Sequence, residues 1–276
     1  MRHGISVDLE DWFSLVRRRI WGIDGPPTDR VIAATTVLLD LLDRTSTKAT
    51  FFVLGRVAET YPDLVREVKG RGHEIGTHGH AHERVDRSGP EAFAEDLRRS
   101  TVAIEAACGV RPAGHRAPEF SISRETTWAY GVLAAEGLRY DSSVFPASAG
   151  RYGIAGAPVA PYTVDAGGGR TLRELPLATV RIAGRRFPAA GGGYLRILPY
   201  LLIDAAVRQA GAAGRPAVLY VHPYEFDPRP LTFDEPLPSL RARAFVAAQN
   251  AFRGRAAPRL ERLLRTYEFG PLEGLT

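Results

Sequence analysis

Residues 72–83 read Gly-His-Glu-Ile-Gly-Thr-His-Gly-His-Ala-His-Glu and contain four of the seven histidines of the chain. His78 and His82 are four positions apart, the spacing that places two side chains on one face of a helical turn. Two imidazoles held in this way can share one divalent cation. The stretch therefore predicts a metal site, with His73 and His80 outside it. The alternative is a cluster of hydrogen-bonded or solvated histidines.

Upstream of this stretch, strand patterns and helix patterns alternate. A helix is predicted where apolar residues recur every three or four positions, and a buried strand where a short run is continuously apolar. The predicted segments are a strand from residue 4, a helix over 28–43, a strand over 48–54, a helix over 56–70 and a short strand over 74–76. Strands separated by helices pair in parallel, so the sequence predicts an α/β fold.

Downstream, the alternation continues with less regularity. The predicted segments are helices over 90–107, 124–136 and 198–210, and strands over 172–177 and 217–221. Glycine, alanine and proline dominate 147–169, which predicts irregular loops. A helical pattern begins near residue 240 and is expected to break at Pro258. Because neither a repeat nor a long linker is found, residues 1–276 are expected to form a single domain with a helical C-terminal extension from about 240.

The composition limits the kinds of protein that this chain can be. Of the 276 residues, 45% are hydrophobic, enough for a substantial core. The formal net charge of +5 is scattered without a basic stripe, so nucleic acid is not an expected partner. The single cysteine, Cys108, fits a reducing compartment. Neither a signal peptide nor a transmembrane run is recognised, so a cytoplasmic location is expected, with peripheral membrane contact left open.

Three carboxylates stand where the first predicted strand ends. They are Asp8, Glu10 and Asp11, and Trp12 follows them. Enzymes of the α/β class keep their catalytic groups at the carboxyl ends of strands. Carboxylates this close resist joint ionisation unless a cation or an arginine balances them. The alternative is that they cap the helix that follows.

Five separated blocks resemble the motifs of the polysaccharide deacetylase family, the NodB-like carbohydrate esterases, in the family's order. The blocks are Asp8–Asp11, His78–His82, Arg116–Pro118, Tyr140–Ser143 and Leu219–His222. Within the family, the chain is most similar to deacetylases of bacterial exopolysaccharide loci. The resemblance implies an irregular (β/α) barrel with its site at the C-terminal ends of the strands. It also implies a divalent metal ion and hydrolysis of an N-acetyl group on a hexosamine.

The resemblance also implies the catalytic roles of four residues. Asp8 matches the general base, and Arg116 matches the arginine that orients this base. Asp141 matches the partner of that arginine. His222 matches the imidazole that donates a proton to the leaving amine. Structural alternatives for the last three are an ion pair for Arg116, a loop cap for Asp141 and a hydrogen-bonded core position for His222.

The metal ligands that the resemblance implies are Glu10, His78 and His82. Residues two apart share one face of a strand, which supports Glu10 beside Asp8. Asp11 remains the alternative acidic ligand if the strand has already bent at that point. Zn²⁺ is the expected ion, although a site with two histidines and one carboxylate also accepts Co²⁺, Ni²⁺ or Fe²⁺.

Further residues are candidates for contacts with the substrate. Leu219 is expected to line a small pocket for the acetyl methyl group. Trp12, Tyr194 and Tyr224 could stack on sugar rings or belong to the core. The glycine triplet 191–193 marks a sharp turn or a close approach of the backbone, to a glycan among other possibilities. Arg185, Arg186 and Arg196 are candidate contacts for a diphosphate or an acidic sugar.

The predicted function is that of a metal-dependent hydrolase. Its expected substrate is an N-acetylhexosamine-containing polysaccharide or the lipid-linked precursor of one. One alternative is an amide or cyclic-amide hydrolase on the same scaffold. The other is a catalytically inactive glycan-binding module. The sugar, its linkage, the chain length and the oligomeric state are left open.

Overall fold

A computed structural model describes residues 1–147 and 152–276. The strands of this part of the chain are β1 (His3–Leu9), β2 (Thr50–Val53), β3 (Glu74–Thr77), β4 (Gly114–His115), β5 (Tyr140–Asp141), β6 (Tyr162–Asp165), β7 (Thr171–Glu174), β8 (Thr179–Ile182), β9 (Arg185–Pro188), β10 (Val218–Val221) and β11 (Phe269–Gly270). The helices are α1 (Trp12–Trp21), α2 (Arg30–Arg44), α3 (Gly55–Thr60), α4 (Pro62–Gly70), α5 (Pro90–Cys108), α6 (Trp128–Ala135), α7 (Gly193–Ile197), α8 (Tyr200–Ala212), α9 (Leu240–Asn250) and α10 (Ala256–Thr266).

The main sheet has the strand order β10-β1-β2-β3-β4-β5-β7-β6, with β11 also paired to β1. All of these pairs are parallel except β6 with β7. The sheet curls into a half-barrel, which confirms the predicted irregular (β/α) barrel. Residues 175–178 bridge the opening, because Leu177 N donates to Val144 O and Ala178 N donates to Val218 O.

The central strands are short and continuously buried because both of their faces are covered. Every residue of β1, β2 and β10 is buried. This burial is typical of parallel strands with helices on one face and a filled interior on the other. Helix α2 shows the complementary pattern: its apolar residues recur at helical spacing and are buried against the sheet. One core cluster joins these strands and helices.

Three segment predictions differ from the structure. The predicted helix over 56–70 is divided at Tyr61, because Pro62 begins α4 as its first residue. Strand β6 lies inside the predicted irregular stretch 147–169, of which residues 148–151 lie outside the described residues. The C-terminal helical pattern breaks before Pro258, between α9 and α10, where Phe252 has a positive φ of 56°.

The topology gathers the ends of several strands at one edge of the sheet. In a parallel sheet the carboxyl ends of neighbouring strands meet at the same edge. Strands β1, β3, β4 and β10 end there, and each is followed directly by a polar side chain of the predicted site. Among the described helices, none is both long enough and apolar enough to cross a bilayer.

Candidate active site

Glu10, His78 and His82 come together at this edge of the sheet. Glu10 follows β1 directly, and His78 follows β3. One donor atom from each of the three side chains lies within 4.8 Å of the others. Glu10 Oε2 is 3.4 Å from His78 Nε2 and 2.9 Å from His82 Nε2. The three predicted ligands therefore converge on one point.

The loop that carries the two histidines is not the helical turn that their spacing suggested. Gly79 and His82 both have positive φ values, of 74° and 57°, which are incompatible with a helix. The loop is instead held by the Asp96 carboxylate, which accepts hydrogen bonds from the backbone N–H groups of His80 and Ala81. The two histidines are thus brought together by a loop with two residues of positive φ, which is packed on helix α5.

The donor set fits a bound cation. His78 Nδ1 lies 2.8 Å from the backbone oxygen of Arg116, which can only accept, so Nδ1 carries the proton of the neutral ring. Its Nε2 then presents a lone pair toward the Glu10 carboxylate. Glu10 Oε2 is buried and has no hydrogen-bond partner among the described residues. Acceptors that face one another in this way are the arrangement that a divalent metal ion satisfies.

The surroundings of Glu10 and Asp11 show which of these two candidate acidic ligands faces the histidines. Burial opposes ionisation of Glu10, yet the nearby imidazoles of His82 and His78 bring the pKa of Glu10 well below its usual value. Asp11 instead caps α1, accepting hydrogen bonds from the backbone of Phe13 and Ser14. Burial raises the pKa of Asp11 despite these bonds. Glu10, and not Asp11, faces the histidines.

Asp8 lies beside this cluster and is held by Arg116. Arg116 Nη1 donates to Asp8 Oδ1 at 2.9 Å, and both side chains are buried. The second terminal nitrogen of the guanidinium donates to the hydroxyl groups of Ser6 and Ser142. A guanidinium with this many fixed partners cannot rotate freely, so it fixes the orientation of the Asp8 carboxylate.

The predicted pairing of Asp141 with Arg116 is wrong. Asp141 Oδ1 lies 2.6 Å from His115 Nδ1 and accepts from Ser143 Oγ at 2.8 Å, while Oδ2 accepts from Ser143 N at 3.0 Å. Successive side chains of a strand point to opposite faces, so His115 and its partner lie on the face away from Arg116. Burial opposes ionisation of Asp141, but His115 lowers its pKa, and the pKa of the neighbouring Glu174 is raised well above its usual value by burial and by Asp141.

His222 reaches the same cluster from the end of β10. Its Nε2 lies 3.9 Å from Asp8 Oδ2 and 3.8 Å from Glu10 Oε1. Its Nδ1 lies 3.4 Å from Glu225 Oε2. Burial opposes protonation of the ring, but the hydrogen bond to Glu225 and the charge of Glu10 raise the pKa of His222 to about 9. The predicted base, acid and metal ligands therefore occupy one site.

Comparison with protein families places this site in a known context. Residues 24–137, which include both histidines and Arg116, match the family model described as polysaccharide deacetylase.

Residues 24–137 therefore correspond to a polysaccharide deacetylase domain.

Residues 142–276, which include His222, match a second family described as a domain of unknown function, DUF3473. Among curated relatives, the peptidoglycan-N-acetylglucosamine deacetylase of Bacillus cereus is 27% identical over 135 residues, which cover 44% of this chain and 49% of the relative. The chitooligosaccharide deacetylase of Rhizobium leguminosarum bv. trifolii is 32% identical over 111 residues, which cover 40% of this chain and 47% of the relative. The matched region thus spans about half the length of these relatives.

Solved structures share the fold of the deacetylase domain. The crystal structure of a candidate polysaccharide deacetylase from Mycobacterium smegmatis superposes with a TM-score of 0.63 at 21% sequence identity. The superposition covers 98% of this chain and 85% of that chain. It therefore spans both family segments, and the shared architecture does not end where the first family model ends.

The predicted acetyl pocket at Leu219 is wrong, because side chains alternate along β10. Residues two apart share a face, so Tyr220 and not Leu219 lies on the same face as His222. The Tyr220 ring is 5.4 Å from the His222 ring and 5.7 Å from the Arg116 guanidinium. A buried tyrosine therefore occupies the position that was assigned to an aliphatic side chain.

The glycine triplet, residues 191–193, approaches this tyrosine. Gly191 has a φ of 123°, and a Cβ atom there would lie 2.0 Å from Tyr220 O. A Cβ atom on Gly192 would lie 2.7 Å from the Tyr220 hydroxyl. The predicted close approach is present, and its partner is strand β10. The triplet leads into α7, which carries Tyr194 and Arg196.

The aromatic candidates differ in their access to a substrate. Trp12 stacks on Tyr224 with a ring separation of 5.0 Å and lines a groove of about 640 Å³ that begins at His82. Tyr194 hydrogen-bonds to Tyr152, away from this groove. Trp12 therefore lines an open groove, whereas Tyr194 belongs to an aromatic cluster.

Proposed function

We propose that the chain is a metal-dependent N-deacetylase. The observation that carries this proposal is the convergence of Glu10, His78 and His82 within 4.8 Å, with Asp8 and His222 on the same side of the sheet. Hydrolysis of an amide at neutral pH requires a nucleophile, stabilisation of charge on the carbonyl oxygen and a proton for the amine. The five side chains are the residue types that meet these needs.

The three ligands and the carboxylate beside them support the first half of the reaction. A divalent cation held by Glu10, His78 and His82 would supply a Lewis acid and lower the pKa of a water molecule. Asp8 is placed to accept a proton from the water molecule that attacks the acetyl carbonyl carbon. Arg116 directs the Asp8 carboxylate into the site through their buried ion pair.

His222 supports the second half of the reaction. The carbon–nitrogen bond breaks when the amine nitrogen receives a proton, and the protonated imidazole of His222 donates it. The products are acetate and a free amino sugar, and the proton taken up by Asp8 balances the proton given by His222. Because the His222 side chain is 16% exposed whereas Asp8 is 3% exposed, the donor lies nearer the solvent side, from which a glycan must enter.

The substrate that we propose is an N-acetylhexosamine-containing polysaccharide, an exopolysaccharide or its lipid-linked precursor. The names of the curated relatives support the class, since they act on peptidoglycan and on chitooligosaccharides. The groove between Trp12 and Arg84, which starts at His82, offers room for sugars beside the one that is cleaved. Action in the cytoplasm stays a prediction, which fractionation of the native host would test.

Acetate release from a panel of compounds tests the proposal. The panel combines N-acetylchitooligosaccharides, de-N-acetylated controls of the same length, and cyclic ureides, each with the protein reconstituted with Zn²⁺. We expect acetate only from the N-acetylated glycans. Turnover of the ureides would favour the amide hydrolase instead, and glycan binding without any turnover would favour an inactive binding module.

A further inference from the structure

The segment that matches a family of unknown function supplies the proton donor of the site and the residues that hold it. We propose that residues 142–276 complete the deacetylase active site, and that Glu225, fixed by Arg196, is the positioning residue that orients His222. This inference rests on the proposed function. It assigns to the second half of the chain a role that is separate from metal binding.

The segment is part of the catalytic sheet and not an appended domain. Strand β10 pairs with β1 over four residues, from Gly4 opposite Val218 to Val7 opposite Val221. Strand β7 pairs with β5 at the other side of the opening. The register of the first pair sets His222 opposite Asp8, so strand pairing brings the backbone of His222 to the site.

Both oxygens of the Glu225 carboxylate are engaged. Oε2 accepts from the backbone N–H of His222 at 3.0 Å and lies 3.4 Å from His222 Nδ1. Oε1 accepts from Arg196 Nε at 2.9 Å. Glu225 is 1% exposed, so water cannot replace these partners. The carboxylate thus joins the imidazole of His222 to the guanidinium of Arg196 in one buried chain of hydrogen bonds.

Arg196 is itself held by backbone groups that are not part of this series of hydrogen bonds. Its Nη1 donates to the backbone oxygens of Gln249 and Ala251, at 3.1 and 2.7 Å, where α9 ends. Arg196 is 2% exposed, so it is not available for the acidic substrate group suggested by the sequence. A buried ion pair contributes little net stability after desolvation, which makes a role in positioning the better explanation of its presence.

The consequence for His222 is a defined ring orientation. A carboxylate beside Nδ1 favours the form in which Nδ1 carries a proton, as in other histidines that are oriented by a carboxylate. The opposite nitrogen, Nε2, then points toward Asp8 and Glu10, where the amine of a substrate would be formed. Removing the carboxylate frees the ring to rotate and to exchange tautomers without removing any metal ligand.

The sharpest test compares two leaving groups. Amide hydrolysis needs a proton on the departing nitrogen, whereas 4-nitrophenyl acetate releases a weakly basic phenolate that needs none. In the Zn²⁺-loaded full chain, Glu225→Gln should lower kcat for an N-acetylchitooligosaccharide by about 10- to 100-fold, with KM unchanged. Its rate on 4-nitrophenyl acetate should change by less than about 3-fold.

Asp227→Asn is the matched control. Asp227 is a buried carboxylate two positions further along that is paired with the partly buried Arg30, so this variant also breaks an ion pair of a buried carboxylate. It should leave the ratio of amide to ester rates unchanged. Equal loss of both rates in Glu225→Gln would overturn the positioning role while leaving the deacetylase function intact, and an inactive wild type would overturn the function itself.

A measurement on the wild-type protein covers the case in which Glu225→Gln does not fold. The ¹⁵N shifts of the His222 ring, assigned by their loss in His222→Asn, report which nitrogen carries the proton. A proton on Nδ1, alone or together with one on Nε2, supports the inference. A neutral ring with its proton only on Nε2 would overturn it.

Discussion

His222 Nε2 lies 3.9 Å from Asp8 Oδ2, although one residue is near the beginning of the chain and the other follows the last long strand of the sheet. The parallel register of β1 and β10, in which Ser6 is opposite Tyr220, creates this contact. A general base and a general acid in one reaction must flank the same bond. The segment 142–276 therefore meets the N-terminal strand β1 at the point where a base and an acid are needed together.

The first prediction concerns the base. Asp8→Asn retains the shape of the side chain but cannot accept a proton, so kcat should fall by about 100- to 10,000-fold. Zn²⁺ content, measured by elemental analysis, should stay at one ion per chain because Asp8 is not among the three ligands. Acetate release near the wild-type rate would exclude Asp8 as the base.

The second prediction separates the ligands from the other histidines of the loop. His82→Ala removes one of three donors and should weaken Zn²⁺ binding by more than about 100-fold. His80→Gln is the matched control, because the His80 ring is buried but lies 2.9 Å from Glu59 and not beside Glu10. Competition with a chromogenic chelator gives both affinities. Equal weakening in the two variants would argue for disruption of the loop and against ligation by His82.

The third prediction concerns the direction in which kcat changes at high pH. A proton donor must be protonated, so kcat should fall as pH rises through the pKa of His222, which the neighbouring carboxylates raise to about 9. A cation on Glu10 offsets part of this effect, so the fall is expected at or somewhat below pH 9. Glu225→Gln should move the fall to lower pH. A profile of kcat against pH checks this. A fall at the same pH in the variant and in the wild type would contradict it.

The fourth prediction concerns the packing of the sheet. A Cβ atom on Gly114 would lie 2.0 Å from the ring of Tyr140 on the neighbouring strand. Gly114→Ala should therefore lower the free energy of unfolding by about 1–3 kcal/mol or more, measured in urea. Gly70→Ala is the control, since nothing lies within 4 Å of its added methyl group and it ends helix α4. The control should be neutral or slightly stabilising.

Local patterns and ordered motifs were enough to predict the class of fold and to name the residues that converge. They could not give the geometry of loops. The pair of His78 and His82 was predicted from helical spacing, yet a left-handed loop brings the two rings together. Sequence spacing restricts which side chains can meet but does not fix the backbone path between them.

The errors around the catalytic groups share one physical cause. Asp141 and Leu219 were assigned by their position in a motif, and strand alternation places both on the face away from the site. Glu225 was missed, although a glutamate three residues after His222 is a recognisable capping arrangement. Its partner Arg196 comes from a distant helix, and such a contact depends on the completed fold.

The most direct test of the central claim is a titration of metal-free protein with Zn²⁺ while acetate release from an N-acetylchitooligosaccharide is followed. We expect no release without metal and a linear rise that ends at one ion per chain, with the rise absent in Glu10→Gln. Release that persists in the metal-free protein, or a Glu10→Gln variant that titrates like the wild type, would contradict it.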